Sequence, residues 1–233
     1  MRRWLLVAAV CAGLAASAWA EEGVGTWEQM REEQGITISR LNAGGNQPAF
    51  RGVVVMEAEL VELLAVLSDD ARRVEWMARC IESRRLDERP DGSMLIYSRT
   101  KGRWPVSDRD SVLESTVTVS PAEDRALIEL RAAESPLMPP ISGVVRIPEM
   151  EGHYLLEVVS PGRTQVEYQL SLSLGGSVPG FVSAFVEEDL PFDTLNALRE
   201  QVKATRGQYG AEILAIRHRL PSVASPPPVG AGF

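Results

Sequence analysis

The fold is decided by residues 165–174, which read Gln-Val-Glu-Tyr-Gln-Leu-Ser-Leu-Ser-Leu, and by the segment that follows them. Apolar and polar residues alternate along this stretch, which predicts a strand with one apolar face and one hydrated face. Gly175 and Gly176 end the alternation, and the spacing of apolar residues then becomes helical. The sequence therefore predicts a half-buried strand followed closely by an amphipathic helix.

The predicted helix runs from Phe181 to Gly207 and would be about 40 Å long at about 1.5 Å per residue. Its apolar stripe is formed by Phe181, Phe185, Phe192, Leu195, Leu198 and Val202. Pro191 lies within the stripe, so we expect a kink just before it. Such a helix, at the end of a curved antiparallel sheet, would lie across the concave face of that sheet.

The segment from Cys80 to Leu174 reads as successive strands, because turn signals recur along it. These signals are Asp91-Gly92, Ser120-Pro121, Pro139-Pro140, Gly152 and Pro161-Gly162. Before this segment we predict a short helix at Thr26–Arg31, strands at Ile36–Arg40 and Phe50–Met56, and helices at Leu60–Leu67 and Ala71–Met77. The pattern predicts an α+β domain with an antiparallel sheet and helices at both ends.

The N-terminal segment has the features of an export signal. Arg2 and Arg3 precede an apolar run, and Ala18-Trp19-Ala20 is a pattern that signal peptidase recognises. We therefore expect a signal peptide at residues 1–20, cleaved near Ala20, and a periplasmic or secreted protein. Lipid attachment at Cys11 and an uncleaved anchor stay open as alternatives.

Composition indicates that the remainder is one folded domain followed by a tail. The chain is 45% hydrophobic, which is typical of globular proteins and not of disordered ones. Residues 220–233 are rich in proline and small residues, so we expect a disordered Pro-rich tail there. No repeat or linker divides residues 21–219, which are therefore expected to form a single domain.

Charge and residue counts argue against several classes of protein. With 24 Lys and Arg against 32 Asp and Glu, the formal charge is −8, which disfavours nucleic acid as a partner. Cys80 is the one cysteine left after the signal peptide, so neither an intramolecular disulfide nor a Cys-based zinc site is expected. His153 and His218 are the only histidines. They offer little material for a catalytic relay or a metal site, and no cofactor is expected.

Four segments, in chain order, resemble the StAR-related lipid-transfer (START) domain family. They are Glu75-Trp76, Trp104-Pro105-Val106-Ser107-Asp108-Arg109-Asp110, Gly175-Gly176-Ser177-Val178-Pro179, and Phe192 to Arg199. The resemblance extends from about Trp27 to Gln208. It implies a helix-grip fold, in which a curved antiparallel β-sheet wraps around a long C-terminal α-helix and encloses a hydrophobic tunnel for one lipid.

The resemblance also assigns candidate roles to residues. The expected lining of the tunnel is Tyr168, Leu170, Leu172, Phe181, Phe185, Leu195 and Leu198. Arg131 is a possible contact for a polar head group, with an exposed ion pair as its alternative role. The signature residues Trp104, Pro105, Ser107, Asp108, Arg109 and Asp110 are expected to be structural, because a carboxylate beside an arginine has a lowered pKa and suits ion pairing better than acid–base catalysis.

The function implied is non-catalytic binding and transfer of a single lipid. Exposing a sixteen-carbon chain to water costs roughly 12 kcal/mol, so shielding that chain is the task of such a protein. Phospholipid, quinone, sterol-like lipid and fatty acid all stay open as ligands, and we expect transient membrane contact and a monomer. Pro191 and Gly175-Gly176 are candidate gates. The alternatives are a cyclase, dehydratase or hydrolase in which His153 or an acidic residue supplies the proton, and a lipid sensor or scaffold.

Overall fold

The computed structural model describes residues 26–42, 49–102, 104–176 and 180–219, so the predicted signal peptide and tail lie outside the described residues. The strands are β1 (Thr26–Glu33), β2 (Ile36–Asn42), β3 (Ala49–Met56), β4 (Cys80–Glu88), β5 (Met94–Thr100), β6 (Arg109–Ser120), β7 (Arg125–Ala132), β8 (Val145–Arg146), β9 (Glu149–Ser160) and β10 (Arg163–Ser173). The helices are α1 (Leu60–Ser68), α2 (Gly180–Glu187), α3 (Asp189–Ala204) and α4 (Gly210–Arg219). Short 3-10 helices lie at Asp70–Glu75 and Pro121–Glu123.

The strands form one sheet whose order is β1-β2-β3-β10-β9-β7-β6-β5-β4. Neighbours in this order are antiparallel, and β8 pairs in parallel with β6. β10 joins the three N-terminal strands to the rest, with Val166 opposite Val54 of β3 and Leu156 of β9. The strands predicted around residues 36–40, 50–56 and 165–174 are confirmed, and so is the α+β class.

The predicted helix at Thr26–Arg31 is wrong, because this segment is strand β1 paired with β2. The register of the pair shifts between Gln29 and Arg31, where a β-bulge inserts an extra residue. The bulge changes the spacing between Trp27 and Met30, the two half-buried apolar residues, from the even number typical of a strand to three. Three is also the spacing of one helix face, so the sequence pattern pointed to the wrong element.

Helix α1 forms where its leucines predict it. Leu60, Leu63, Leu64 and Leu67 are all buried on one side of it. At its start the Glu62 carboxylate accepts a hydrogen bond from the Glu59 N–H at 2.9 Å, which satisfies one of the amides that the first helical turn leaves unpaired. The helix predicted next, at Ala71–Met77, is a 3-10 helix whose first turn is capped by the Asp69 side chain on the Arg72 N–H.

The long C-terminal helix is broken into α2 and α3 at Glu188, close to the kink predicted before Pro191. Proline has no N–H to donate and its ring clashes with the carbonyl four residues earlier, which here belongs to Glu187, the last residue of α2. Helix α4 was not predicted. Gly207 and Gly210 read as stop signals, and the apolar residues 213–216 beyond them are consecutive and so do not mark one face of a helix.

The main core lies on the face of the sheet that carries α1 and α3, which we call the inner face. α3 touches the sheet closely there: a Cβ built on Gly52 of β3 would lie 2.6 Å from Leu195 Cδ1. The opposite, outer face carries a smaller apolar cluster of Leu95, Tyr97, Val112 and Met138. Within the described parts of the chain, no helix is both long and apolar enough to cross a bilayer.

Candidate functional site

A cleft of about 720 Å³ lies on the inner face, between α1, α4 and the strands β4, β5 and β6. Its apolar lining comes from Leu64 and Ala65 of α1, Met94 of β5, Val117 and Val119 of β6, and Ala215 and Ile216 of α4. Its polar lining comes from Ser68, Asp69, Arg85, Glu88, Tyr209 and Glu212. A concave apolar surface with a few polar groups suits an amphipathic small molecule.

A buried polar cluster lies beside the cleft. Asp70 is 5% exposed, and its carboxylate accepts hydrogen bonds from Arg73 Nη2 and Arg85 Nε, both at 2.9 Å. Arg73 is itself buried, and its Nη2 also donates to the Leu67 carbonyl at 3.4 Å. Arg85 also pairs with Glu88 at 3.3 Å, so Asp70 is the carboxylate that neutralises the buried Arg73.

A small void of about 10 Å³ lies next to the cleft. Asp70 and Arg73 line the void, which shares Ser68, Met94 and Val117 with the lining of the cleft. Arg73 Nε is buried without a hydrogen-bond partner among the described residues. A buried donor without a partner is costly, so the void beside Arg73 favours a polar atom that can accept from it.

Most of the residues predicted to line a tunnel lie elsewhere, in the main core. Tyr168, Leu170, Leu172, Leu195 and Leu198 are each no more than 5% exposed and belong to that core. Phe185 is half-buried against the same core, and the Phe181 side chain lies outside what the structure describes. The cleft is lined by other residues, and ligand contact by these seven stays a prediction.

Arg131 lies on the outer face of the sheet, away from the cleft, which corrects its assignment as a head-group contact. The neighbouring Leu130 points into the main core, so Arg131 points to the outer face, because successive strand residues alternate. Its side chain is 75% exposed and pairs with Glu151 at 2.9 Å. This exposed ion pair is the alternative role that the sequence left open.

His153 also lies on the outer face, since the adjacent Tyr154 is in the main core. Its Nε2 is 3.2 Å from Glu167 Oε1 across the β9–β10 pair. The candidate acid–base residue of the enzyme alternative therefore lies on the far side of the sheet from the cleft. Within the described chain, no group of three His, Cys, Asp or Glu side chains is arranged to hold a metal ion.

The two aspartates of the signature segment are held in ion pairs. Asp108 accepts from Arg99 Nη2 at 2.7 Å and from the Gly102 N–H at 2.9 Å, and both contacts keep the pKa of its carboxyl below the usual value. Asp110 is 1% exposed and takes two hydrogen bonds from Arg146. Such contacts fix the loop that precedes β6.

The remaining signature residues divide between the loop tip and the end of the sheet. Arg109 Nη1 donates to the Ser107 carbonyl at 2.6 Å, and its Nε donates to the Leu174 carbonyl at 3.4 Å. Burial lowers the pKa of this guanidinium. Trp104 and Pro105 stand at the tip of the loop, where Trp104 is 88% exposed.

The sequence identified few of the residues that line the cleft. Leu64 was visible on the leucine face of α1, and Met94 lies two residues before Ile96 on the same face of β5. The contribution of α4 could not be read, because that helix was not predicted. Asp70 and Arg73 are three residues apart, a spacing that places two side chains together on a helix.

Two buried tyrosines predict that the folded state loses stability at alkaline pH. Burial raises the pKa of Tyr97 and of Tyr168 to about 12, whereas an unfolded tyrosine titrates near ~10. The folded state therefore holds the phenolic proton more tightly, and its stability is complete below pH ~10 and declines as the pH rises towards about 12. We expect urea midpoints to fall in this window and to fall less in Tyr168→Phe. Phenolate absorbance from both tyrosines of the folded protein near pH ~10 would contradict the prediction.

A model of the START domain matches residues 10–203 of the chain. Uncharacterized protein PA1579 of Pseudomonas aeruginosa is 29% identical over 198 residues, which are 84% of this chain and 95% of that protein. The crystal structure of the STAR-related lipid transfer protein of Xanthomonas axonopodis (fragment 25-204) is 30% identical, with a TM-score of 0.68 over 76% of this chain and 98% of that one.

A more distant solved structure shares the architecture. Human StAR-related lipid transfer protein 5 is 21% identical and has a TM-score of 0.71 over 81% of this chain and 90% of that chain. At this level of identity, the similarity supports a shared fold and no shared function. It confirms the predicted helix-grip arrangement of a large antiparallel sheet and a C-terminal helix.

Proposed function

Because the chain belongs to the START domain family, we propose that it binds a single lipid non-covalently in the cleft between α1, α4 and β4–β6. The observation that carries the proposal is the cleft itself. Its volume of about 720 Å³ lies within the roughly 300–1,000 Å³ usual for small-molecule sites. Its apolar lining would shield a hydrocarbon chain from water.

The two ends of the cleft suit the two ends of an amphipathic lipid. An apolar chain would lie along Leu64, Met94 and Ile216, while a polar group at the inner end would accept from Arg73. Ser68, Met94 and Val117 border both the cleft and the void, and Met94 is the flexible side chain among them. Fatty acid, phospholipid, quinone and sterol-like lipid are the ligand classes proposed.

We extend the proposal to lipid transfer by an exported monomer that contacts membranes transiently. The name of the Xanthomonas relative, a STAR-related lipid transfer protein, supports transfer. The 88% exposed Trp104 supports membrane contact, since an indole prefers the boundary between lipid and water. Export rests on the signal-peptide pattern of residues 1–20.

Val117→Trp tests the location of the ligand. Val117 lines the cleft and is 39% exposed, so an indole there fills the cleft without overpacking the core. We expect the affinity for a fluorescent NBD-labelled stearate to fall by at least about tenfold, equivalent to about 1.4 kcal/mol. Val159→Trp is the matched control, because Val159 is a similarly exposed strand valine that does not line the cleft.

Equal binding by the two tryptophan variants would place the ligand outside the cleft. Native mass spectrometry of the purified mature protein provides a second readout that needs no chosen probe. If no lipid co-purifies and the labelled stearate does not bind the wild-type protein, lipid binding is refuted.

A further inference from the structure

Three serines lie side by side on the inner face of strands β4, β5 and β6. Ser98 of β5 is opposite Ser83 of β4 on one side and opposite Ser111 of β6 on the other. Residues that face one another across antiparallel strands point to the same side of the sheet. Tyr97 belongs to the outer cluster, so the adjacent Ser98 and its two partners point to the inner face. We call these three residues the serine row.

Two hydroxyl groups of the serine row lack hydrogen-bond partners. Ser83 Oγ and Ser98 Oγ are both buried, and neither has a partner among the described residues, so they do not bond to one another. Ser98 is 7% exposed and Ser111 is 5% exposed. Burying a hydroxyl without a partner is costly, because the group gives up its hydrogen bonds to water. The serine row is therefore suited to bind polar atoms that the described part of the protein does not supply.

Other unpaired groups lie on the same side of the sheet. Arg73 Nε, Trp76 Nε1 and Tyr154 Oη are also buried without partners among the described residues. Arg73 and Tyr154 line the void, and Trp76 belongs to the main core. Folded proteins leave few such groups unpaired, so their concentration on one side of the sheet indicates a place for a polar molecule.

The serine row and the cleft lie along the same strands. On β5, Met94 lines both the cleft and the void, Ile96 lines the void, and Ser98 follows two residues later. On β6, Val117 lies at the cleft and Ser111 at the row. A strand rises about 3.3 Å per residue, so the row lies about 13 Å along β5 from Met94. One lipid can span that distance.

We propose that the serine row binds the head group of the lipid and selects one that is uncharged and rich in oxygen. Serine hydroxyls both donate and accept, which suits hydroxyl, ester and ketone oxygens. They carry no charge, and the buried cation Arg73 is already paired with Asp70 at 2.9 Å. A phosphate or carboxylate at the row would therefore be buried without a counter-ion of its own, which is costly.

This inference rests on the proposed function, because it concerns the ligand of the same site. Among the ligand classes proposed above, it favours quinone and sterol-like lipid over fatty acid and phospholipid.

Competition between two lipids with the same acyl chain tests the proposal in the intact mature protein. Monolauroylglycerol has an uncharged glycerol head group, whereas laurate has a carboxylate. Each is titrated against NBD-labelled stearate, and we expect the glycerol ester to displace the probe at a concentration at least about tenfold lower than laurate does. Displacement at equal concentrations, or at a lower concentration of laurate, would overturn the selection of an uncharged head group.

Removal of the two unpaired hydroxyls tests whether the serine row is responsible for this preference. In Ser83→Ala combined with Ser98→Ala, we expect the preference to fall below about threefold. Ser39→Ala is the matched control and should keep the full preference. Ser39 is a strand serine that is 8% exposed, and it points to the outer face because the adjacent Ile38 is in the main core. A preference that survives in the double variant overturns the role of the serine row.

The stability of the delipidated double variant provides a second readout. Since the two hydroxyls have no partners, their removal should leave the urea midpoint unchanged or higher. A lower midpoint would show that the protein already pairs them, and would overturn the serine row while leaving lipid binding in the cleft intact. Failure of the wild-type protein to bind labelled stearate or to carry co-purified lipid refutes the proposed function, and the serine row with it.

Discussion

Asp70→Ala should lower the free energy of unfolding by about 3–5 kcal/mol, the usual cost of removing one partner from a buried ion pair. The Asp70 carboxylate is the group that neutralises Arg73, whose side chain is only 8% exposed. Without it, Arg73 would remain charged in the interior. Urea unfolding followed by tryptophan fluorescence measures the loss.

Two further variants separate this effect from a general loss of charge. Glu88→Ala removes a carboxylate that pairs with Arg85 at the surface, and should change the stability by no more than about 1 kcal/mol. Asp70→Ala combined with Arg73→Met removes both buried charges and should recover most of the stability. A similar loss in Asp70→Ala and Glu88→Ala would contradict the assignment.

Leu195→Ala should cost about 3–5 kcal/mol, at the upper end of the range for truncated core leucines. Leu195 is fully buried, and its Cδ1 lies 2.6 Å from the position that a Cβ on residue 52 would occupy. The backbone of β3 cannot collapse far into the vacated space, since β3 is hydrogen-bonded on both sides by β2 and β10. Thermal and urea unfolding measure the loss, and Leu214→Ala, at a 60% exposed position, is the matched control.

A double-mutant cycle tests the contact between α3 and β3 directly. Gly52→Ala alone should destabilise by about 1–3 kcal/mol, because its Cβ would clash with Leu195 and approach Ile38 Cδ1 to 3.0 Å. In the Leu195→Ala background the clash with Leu195 is gone, and only the close approach to Ile38 Cδ1 remains. We therefore expect a coupling of at least about 1 kcal/mol, whereas additive losses would show that α3 does not lie against Gly52.

The sequence predicted those elements whose pattern is local. β10 shows an unbroken alternation, and α1 shows leucines at helical spacing, so each was placed correctly. β1 was misassigned because a single bulge changed the spacing of Trp27 and Met30. Pro191 predicted the break between α2 and α3, since the steric effect of proline reaches only one turn back.

The site was less predictable, because it depends on elements that meet only in three dimensions. The apolar stripe of α3 predicted burial correctly, but burial alone does not distinguish a packed core from a ligand-lining surface. Leu195 and Leu198 belong to the packed core, while the cleft lies where α4 stands beside α1. Arg131 shows a related limit, because the sequence does not say which of its apolar neighbours Leu127, Ile128 and Leu130 lie on the inner face.

The order of strands has a consequence for how the chain folds as it is synthesised. β3 emerges early, but the partner on one of its edges is β10, more than a hundred residues later in the chain. Until β10 leaves the ribosome, the N-terminal three strands must expose that edge, which is open to mispairing. The sheet can be completed only once nearly the whole domain is available, so a chaperone that masks nascent strands would be most useful while residues 57–162 are being made.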